Sequence, residues 1–294
     1  MLRNWKSSPT IALIALIFVC AAWGGTFLAM QKAIARVPVL DFLAIRFTVA
    51  TLVMIAIRPQ VLRHISKEQL KHGFFLGLAL GAGYISQTYG LLYASATVSG
   101  FITGMFVVLT PVMSWLILRR SINRNTWLAV ILATFGLALL SLRGWAVGPG
   151  EMLTLACAIF YAIHIVGLGE WSVKYESYGF AVLQIGTVAV LTLIAAAPGG
   201  IALPPNAGIW GIVALTAVLA TALAFLVQTW AQSLLSPTKA AVIMTMEPVF
   251  AGIFGVLVGG NRLSAQIIIG AVSILAAMLL VNLKPATKIT RLES

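Results

Sequence analysis

The chain has 294 residues, 61% of them hydrophobic and only 9% charged, against roughly 45–50% apolar and about 25% charged in a soluble domain. Nineteen basic and seven acidic residues cannot keep the surface of so apolar a particle wet, which excludes a soluble globular fold and turns the missing surface toward lipid. The net charge of +12 is spread in short groups between apolar stretches and gathers no aromatic-flanked basic patch, which excludes nucleic acid as a partner.

In chain order, the first apolar run follows Arg3 and Lys6 and continues from Ile11 to about Ile34. It is too long for the core of a secretory signal, and Val19 before Cys20 fits a lipoprotein cleavage site poorly, so it is expected to be retained as helix 1. A bilayer-spanning helix needs about 20 apolar residues, and this reading gives ten of them. They run Ile11 to Ala33, Leu40 to Ile57, Gly73 to Tyr93, Val98 to Leu118, Thr126 to Leu142, Glu151 to Gly169, Tyr178 to Ala196, Ile209 to Ala231, Lys239 to Val258 and Ala265 to Leu283. Pro38, Pro59, Gly148-Pro149-Gly150, Pro198-Gly199-Gly200, Pro204-Pro205, Pro237 and Gly259-Gly260 punctuate them.

With the N-terminus inside, four of the nineteen basic residues face outward (Lys32, Arg36, Arg143, Arg262), Arg46 lies within helix 2, and the other fourteen face the cytoplasm. That is the bias of the positive-inside rule, so both termini are expected to be cytoplasmic. Cys20 and Cys157 lie within apolar runs and read as packing residues, not as a disulfide or metal ligands.

Arg46 is close enough to the end of helix 2 to snorkel, and its planar fork also suits a substrate carboxylate. On helix 3, Tyr84, Gln87, Thr88 and Leu91 share a face by helical spacing, as do Thr221, Phe225, Gln228 and Gln232 on helix 8. A Gln amide in lipid would be unsatisfied, so Gln87 and Gln228 face either a wet cavity or partners on other helices. Gly73, Gly77 and Gly81 mark one close-packing face, and Gly100, Gly104, Ala240, Ala241, Gly252 and Gly255 thin helices 4 and 9. Pro111 and Pro248 are expected to kink their helices and serve as hinges. Glu247 is the one acidic residue deep in an apolar helix. It is either a protonatable coupling site or a group bonding the backbone that Pro248 leaves free.

The halves repeat. Gln87-Thr88-Tyr89 recurs as Gln228-Thr229-Trp230 at an offset of 141, Pro111-Val112 meets Pro248-Val249 at 137, and Trp23, Phe42 and Arg46 meet Tyr161, Phe180 and Gln184 at 138. Five helices per half invert the second half relative to the first, a secondary-transporter pattern with the site between halves. The expected fold is therefore an all-α membrane protein of ten transmembrane helices, in two inverted five-helix repeats (residues 1–147 and 148–294) around a central cavity. Helices 5 and 10, poorest in polar groups, are expected at the periphery.

Trp23-Gly24, Arg46-Phe47, the Gly100-Phe101-Ile102-Thr103-Gly104 to Pro111 run and Glu247-Pro248-Val249-Phe250 resemble the EamA-type group of the drug/metabolite transporter superfamily, over about residues 10 to 284. The resemblance implies export of amino acids or similar small metabolites, as by bacterial amino-acid exporters including the aromatic ones, and favours architectural roles for Arg46 and the Glu247-Pro248 pair. Tyr84, Tyr89, Phe101, Tyr161 and His164 lie in helices similar to the family's cavity-lining set. With Trp23, Gln87 and Gln228 they make the expected substrate-facing residues. Aromatics, amides and hydroxyls suit amphipathic zwitterions better than phosphorylated substrates, which ask for clustered Lys and Arg.

An intramembrane enzyme would need paired acids, a nucleophile with its base or metal ligands. Asp41 is the one Asp, His64 and His72 sit in a loop, and no His-Glu-x-x-His element or Gly-x-x-x-x-Gly-Lys loop occurs. Neither catalysis, cofactor nor metal is expected. The expected partners are a small-molecule substrate and the bilayer of a bacterial inner membrane. A facilitative pore or uniporter, and a homodimer, stay open.

Overall fold

The computed structural model describes residues 8–94, 96–119, 121–122, 124–141, 148–257 and 265–282. The described residues form thirteen α-helices and no strand: α1 Pro9–Ile34, α2 Val39–Ile57, α3 Lys67–Tyr93, α4 Ala96–Gly104, α5 Phe106–Leu118, α6 Arg124–Ser141, α7 Pro149–Trp171, α8 Ser177–Ala196, α9 Ala207–Ala217, α10 Ala224–Gln232, α11 Pro237–Met244, α12 Met246–Leu257 and α13 Ala265–Asn282. Each of the ten apolar segments falls on one or two of them. Arg3, Lys6, Arg120, Arg143, Gly259, Gly260, Arg262, Lys284, Lys288 and Arg291 lie outside the described residues, as do the side chains of Phe27, His64 and Phe101 and the surroundings of Gly255.

Local chemistry sets the ends. Pro9, Pro149 and Pro237 occupy first-turn positions, where a missing N–H costs nothing. Ser8, Ser66, Asn206 and Ser236 accept from the backbone N–H three residues on, satisfying donors that the first turn leaves orphaned. Five stretches are long and apolar enough to cross a bilayer by length and composition: Pro9–Ile34, Val39–Ile57, Pro149–Trp171, Ser177–Gly199 and Ala207–Gln232. Helix 3 is diluted by Gly, Gln, Tyr and its charged first turn, and helices 4 and 9 are each interrupted.

The cuts come at Met105, between α4 and α5, and at Thr245, between α11 and α12. Pro111 lies inside an uninterrupted α5, six residues after the break at Met105. Pro248 follows its break by three residues, as its missing N–H dictates. The Met244 carbonyl that it leaves without a partner is approached by Cys20 Sγ at 3.9 Å, which also lies 3.7 Å from Ile243 O. A second irregularity is a π-helical turn, Val218–Leu223, joining α9 to α10.

α3 lies between α7 and α8, and the rod from α9 to α10 lies between α1 and α2. α4 and α5 rest on α7, as α11 and α12 rest on α1; α2 pairs with α8, and α6 with α13. Among the described residues, none of the α6–α13 pair lines the cavity described below. Large apolar side chains such as Phe18, Leu52, Ile131 and Leu257 point outward, the surface that lipid must cover.

The α3–α8 contact is built on glycine. A Cβ at Gly73 would come 2.7 Å from Leu183 Cβ, one at Gly81 2.7 Å from Leu191 Cδ2, and one at Gly77 would collide with the Thr187 side chain and come 2.8 Å from Gln184 O. Close approach of backbones substitutes for the hydrophobic drive that lipid removes. Gly100 and Gly252, expected to thin their helices, have open space beside them among the described residues. Gly77→Leu should therefore destabilise the protein by about 1–3 kcal/mol, whereas Gly252→Leu should leave the melting temperature in detergent unchanged. Equal melting temperatures for the two variants would refute the close-packing account.

At the basic end of α3, outside the apolar run that begins at Gly73, His72 stacks on Trp171 at 4.2 Å and its Nδ1 lies 2.7 Å from Tyr175 Oη. Burial pushes its pKa below the ordinary imidazole value, with Glu68 pulling the other way. The contact thus favours neutral imidazole and weakens as pH falls through that lowered value. The nearby Arg58–Glu176 pair, 2.9 Å apart and half-exposed, adds little.

Candidate functional site

Where the interrupted helices meet the straight ones, a cavity opens that draws on both halves. Its wall is formed from α1 (Trp23, Thr26, Met30), α2 (Arg46), α3 (Leu80, Tyr84, Gln87), α5 (Phe106), α7 (Tyr161, His164, Ile165), α10 (Phe225, Gln228), α11 (Met244) and α12 (Glu247). It offers about 50 Å3 to the centres of water-sized molecules, whereas one water needs only about 10–15 Å3.

Arg46 is 1% exposed. Its Nε donates to Thr221 Oγ1 at 2.8 Å, Nη2 to Ala220 O at 3.3 Å and Nη1 to Met30 Sδ at 3.2 Å. The guanidinium also lies over the Tyr84 ring at 5.1 Å, an arrangement that delocalised charge and planarity favour. Trp23 Nε1 donates to the same Ala220 carbonyl at 2.9 Å, and Thr221 Oγ1 passes its own proton back to Thr216 O at 2.9 Å. Arg46 and Trp23 therefore hold the carbonyl and hydroxyl that the π turn exposes, and such turns recur at functional sites.

Aromatic rings line the space between. Trp23 meets Phe225 at 5.6 Å, Tyr84 meets Tyr161 at 5.7 Å and Phe225 at 6.1 Å, and His164 meets Phe225 at 6.2 Å, mostly edge to face. Gln184 Nε2 donates to Phe180 O at 2.9 Å, so its Oε1 faces His164 Nε2 at 2.8 Å and the imidazole must donate there.

Gln87 does both things that its sequence allowed. It lines the cavity and also bonds across helices, Nε2 to Thr103 Oγ1 at 3.2 Å and Oε1 from Tyr161 Oη at 3.2 Å. Gln228 Nε2 donates to Gln232 Oε1 at 3.0 Å.

Among the described residues the Glu247 carboxylate has no hydrogen bond and no cation within 4.0 Å. Gly24, one turn after Cys20, brings α1 against this break: a Cβ there would come 2.6 Å from Glu247 O and 2.7 Å from Ala251 N.

Eight of the ten residues expected at the substrate or in coupling thus share one wall: Trp23, Arg46, Tyr84, Gln87, Tyr161, His164, Gln228 and Glu247. Tyr89 does not. Five residues beyond Tyr84, it is turned about 140° from it around the helix, and it packs on an apolar cluster with Phe42 and Leu91. The Phe101 side chain lies outside the described residues. Thr26, Met30, Leu80 and Met244 carry no signal that separates a cavity wall from a core. Phe225 could have been read from its place between Thr221 and Gln228.

The EamA-like transporter family model matches residues 10–142 and again 148–283. The chain is 32% identical over 275 residues to an uncharacterized transporter of Archaeoglobus fulgidus, covering 93% of this chain and 85% of that one. It is 24% identical over 286 residues to the uncharacterized transporter YoaV of Bacillus subtilis, covering 89% and 93%. A crystal structure with 17% sequence identity superposes with a TM-score of 0.78 over 94% of this chain and 98% of the other, a likeness of fold.

Proposed function

The chain belongs to the EamA-like transporter family, which makes it a membrane transporter and not an enzyme, and on that premise we propose a ten-helix secondary carrier for amino acids or similar small amphipathic metabolites. It exports them across a bacterial inner membrane, with both termini cytoplasmic, by alternating access between two inverted five-helix halves. The observation that carries this reading is the cavity. It combines six aromatic side chains, His164 included, with amides, one cation and one carboxylate, and it takes its wall from both halves. Apolar walls with a few placed polar groups are what a small ligand needs.

The helix pairings support the inverted repeat. Exchanging the halves maps α3 against α7 and α8 onto the α9–α10 rod against α1 and α2, and maps α2–α8 and α6–α13 onto themselves. A two-fold axis in the membrane plane has that consequence. The breaks at Met105 and Thr245, together with the stripes of small residues, supply places where helices bend or slide.

Counterflow in proteoliposomes tests the carrier. Unlabelled amino acid inside should accelerate uptake of labelled L-phenylalanine at least about threefold, with saturation, since an exchanging carrier skips its slow empty return. Flux that is linear in concentration and indifferent to internal substrate would establish the pore instead.

A further inference from the structure

One acceptor in the cavity wall is held in place by the fold and left unused. Gln232 Nε2 donates to the Ile165 carbonyl at 2.8 Å, which fixes that amide and presents its Oε1 to Gln228 Nε2 at 3.0 Å. Flipping the Gln228 amide would set two carbonyl oxygens against each other, so the relay also fixes Gln228. Its Oε1 is left without a partner although the residue is only 2% exposed.

Among the described residues, the other buried side-chain atoms without partners belong to Thr48, Thr110 and Ser172, none of which lines the cavity. An amide oxygen kept dry and unpaired is costly unless a donor arrives. Three of the five N–H donors of Arg46, the cation in the wall, are directed to Thr221, Ala220 and Met30. Two acceptors of this wall, Gln228 Oε1 and the Glu247 carboxylate, have no hydrogen-bond partner among the described residues.

We infer that Gln228 Oε1, oriented by the Gln232–Ile165 relay, receives the protonated primary amine of the substrate. The inference rests on the carrier reading above and narrows it to amine-bearing ligands, with Gln228 as the contact and Gln232 as a positioning residue. An acid of the same shape without the amine leaves Oε1 unpaired and is selected against.

Two probes separate the roles: phenethylamine and 3-phenylpropionate, added to the purified full-length protein in detergent, with its melting temperature as readout. The wild type should respond to phenethylamine at concentrations about tenfold below those needed of 3-phenylpropionate, the scale of one charged hydrogen bond. Gln228→Met and Gln232→Met should each bring the two probes within about threefold, and the double variant should go no further, because the two amides act in series. A purely structural role would lower the melting temperature of the apo protein without moving that ratio. Equal responses in the wild type, or an undiminished preference in Gln228→Met, overturn the inference; if one variant does not fold, the other decides. A wild type that prefers phenethylamine yet shows no counterflow of any amino acid refutes the proposed substrate class and leaves the amine contact standing.

Discussion

Arg46→Met should slow counterflow roughly a hundredfold, the cost of displacing groups around a bound ligand by about an ångström, while the helical fold survives. Arg46 donates to both the hydroxyl and a carbonyl of the π turn, and it is buried without a carboxylate partner among the described residues. Removing it takes away an uncompensated buried charge as well as three hydrogen bonds, so the stability terms oppose one another. What is lost is the fixed placement of the turn that precedes Phe225 and Gln228. Arg46→Lys should not restore the rate, because one ammonium cannot reproduce a planar fork reaching Thr221 Oγ1 and Ala220 O together. Thr221→Val, which removes one end of that brace, should cost about tenfold by itself. Wild-type counterflow in Thr221→Val would separate the role of Arg46 from the turn.

Glu247→Gln should abolish the response to an imposed pH gradient and spare exchange. In wild-type proteoliposomes the expected result is substrate accumulation that follows the proton gradient. In the variant, counterflow should persist within about threefold while gradient-driven accumulation disappears, since an amide of the same shape neither takes up nor releases a proton. Glu247 suits such a role by position. It faces the cavity and its carboxylate is free of protein partners among the described residues, so its charge is available to substrate or proton. Unchanged pH dependence in the variant would remove Glu247 from coupling.

The helices were legible because lipid imposes a simple requirement. A backbone in hydrocarbon must bond to itself, so apolar runs such as Leu40 to Ile57 or Tyr178 to Ala196 fall on α2 and α8 with ends within a residue or two. The gathering of Gln87, Tyr161, His164 and Gln228 was legible for the complementary reason, since polar groups in apolar helices must face one another or water. Irregularities were harder. Val-Leu-Ala-Thr-Ala-Leu, the π turn, contains only residues at home in an ordinary α-helix. It is braced by Trp23 and Arg46, 197 and 175 residues away from the atoms they hold. Met105 likewise carries no breaker, and Pro111, which looks like one, is spanned by continuous helix. Tyr89 shows the limit of a resemblance carried residue by residue, because helical phase outweighs residue type.

The π turn also bears on chain length. The two halves correspond at an offset of 138 for Arg46 and Gln184 but 141 for Gln87 and Gln228, so the second half gains three residues in between. Each π turn takes one residue more than an α-turn for the same rise, and Val218–Leu223 lies inside that interval. Under the proposed duplication, one of the three surplus residues is absorbed within the helix as a local underwinding. That insertion exposes the backbone groups that Arg46 and Trp23 grip.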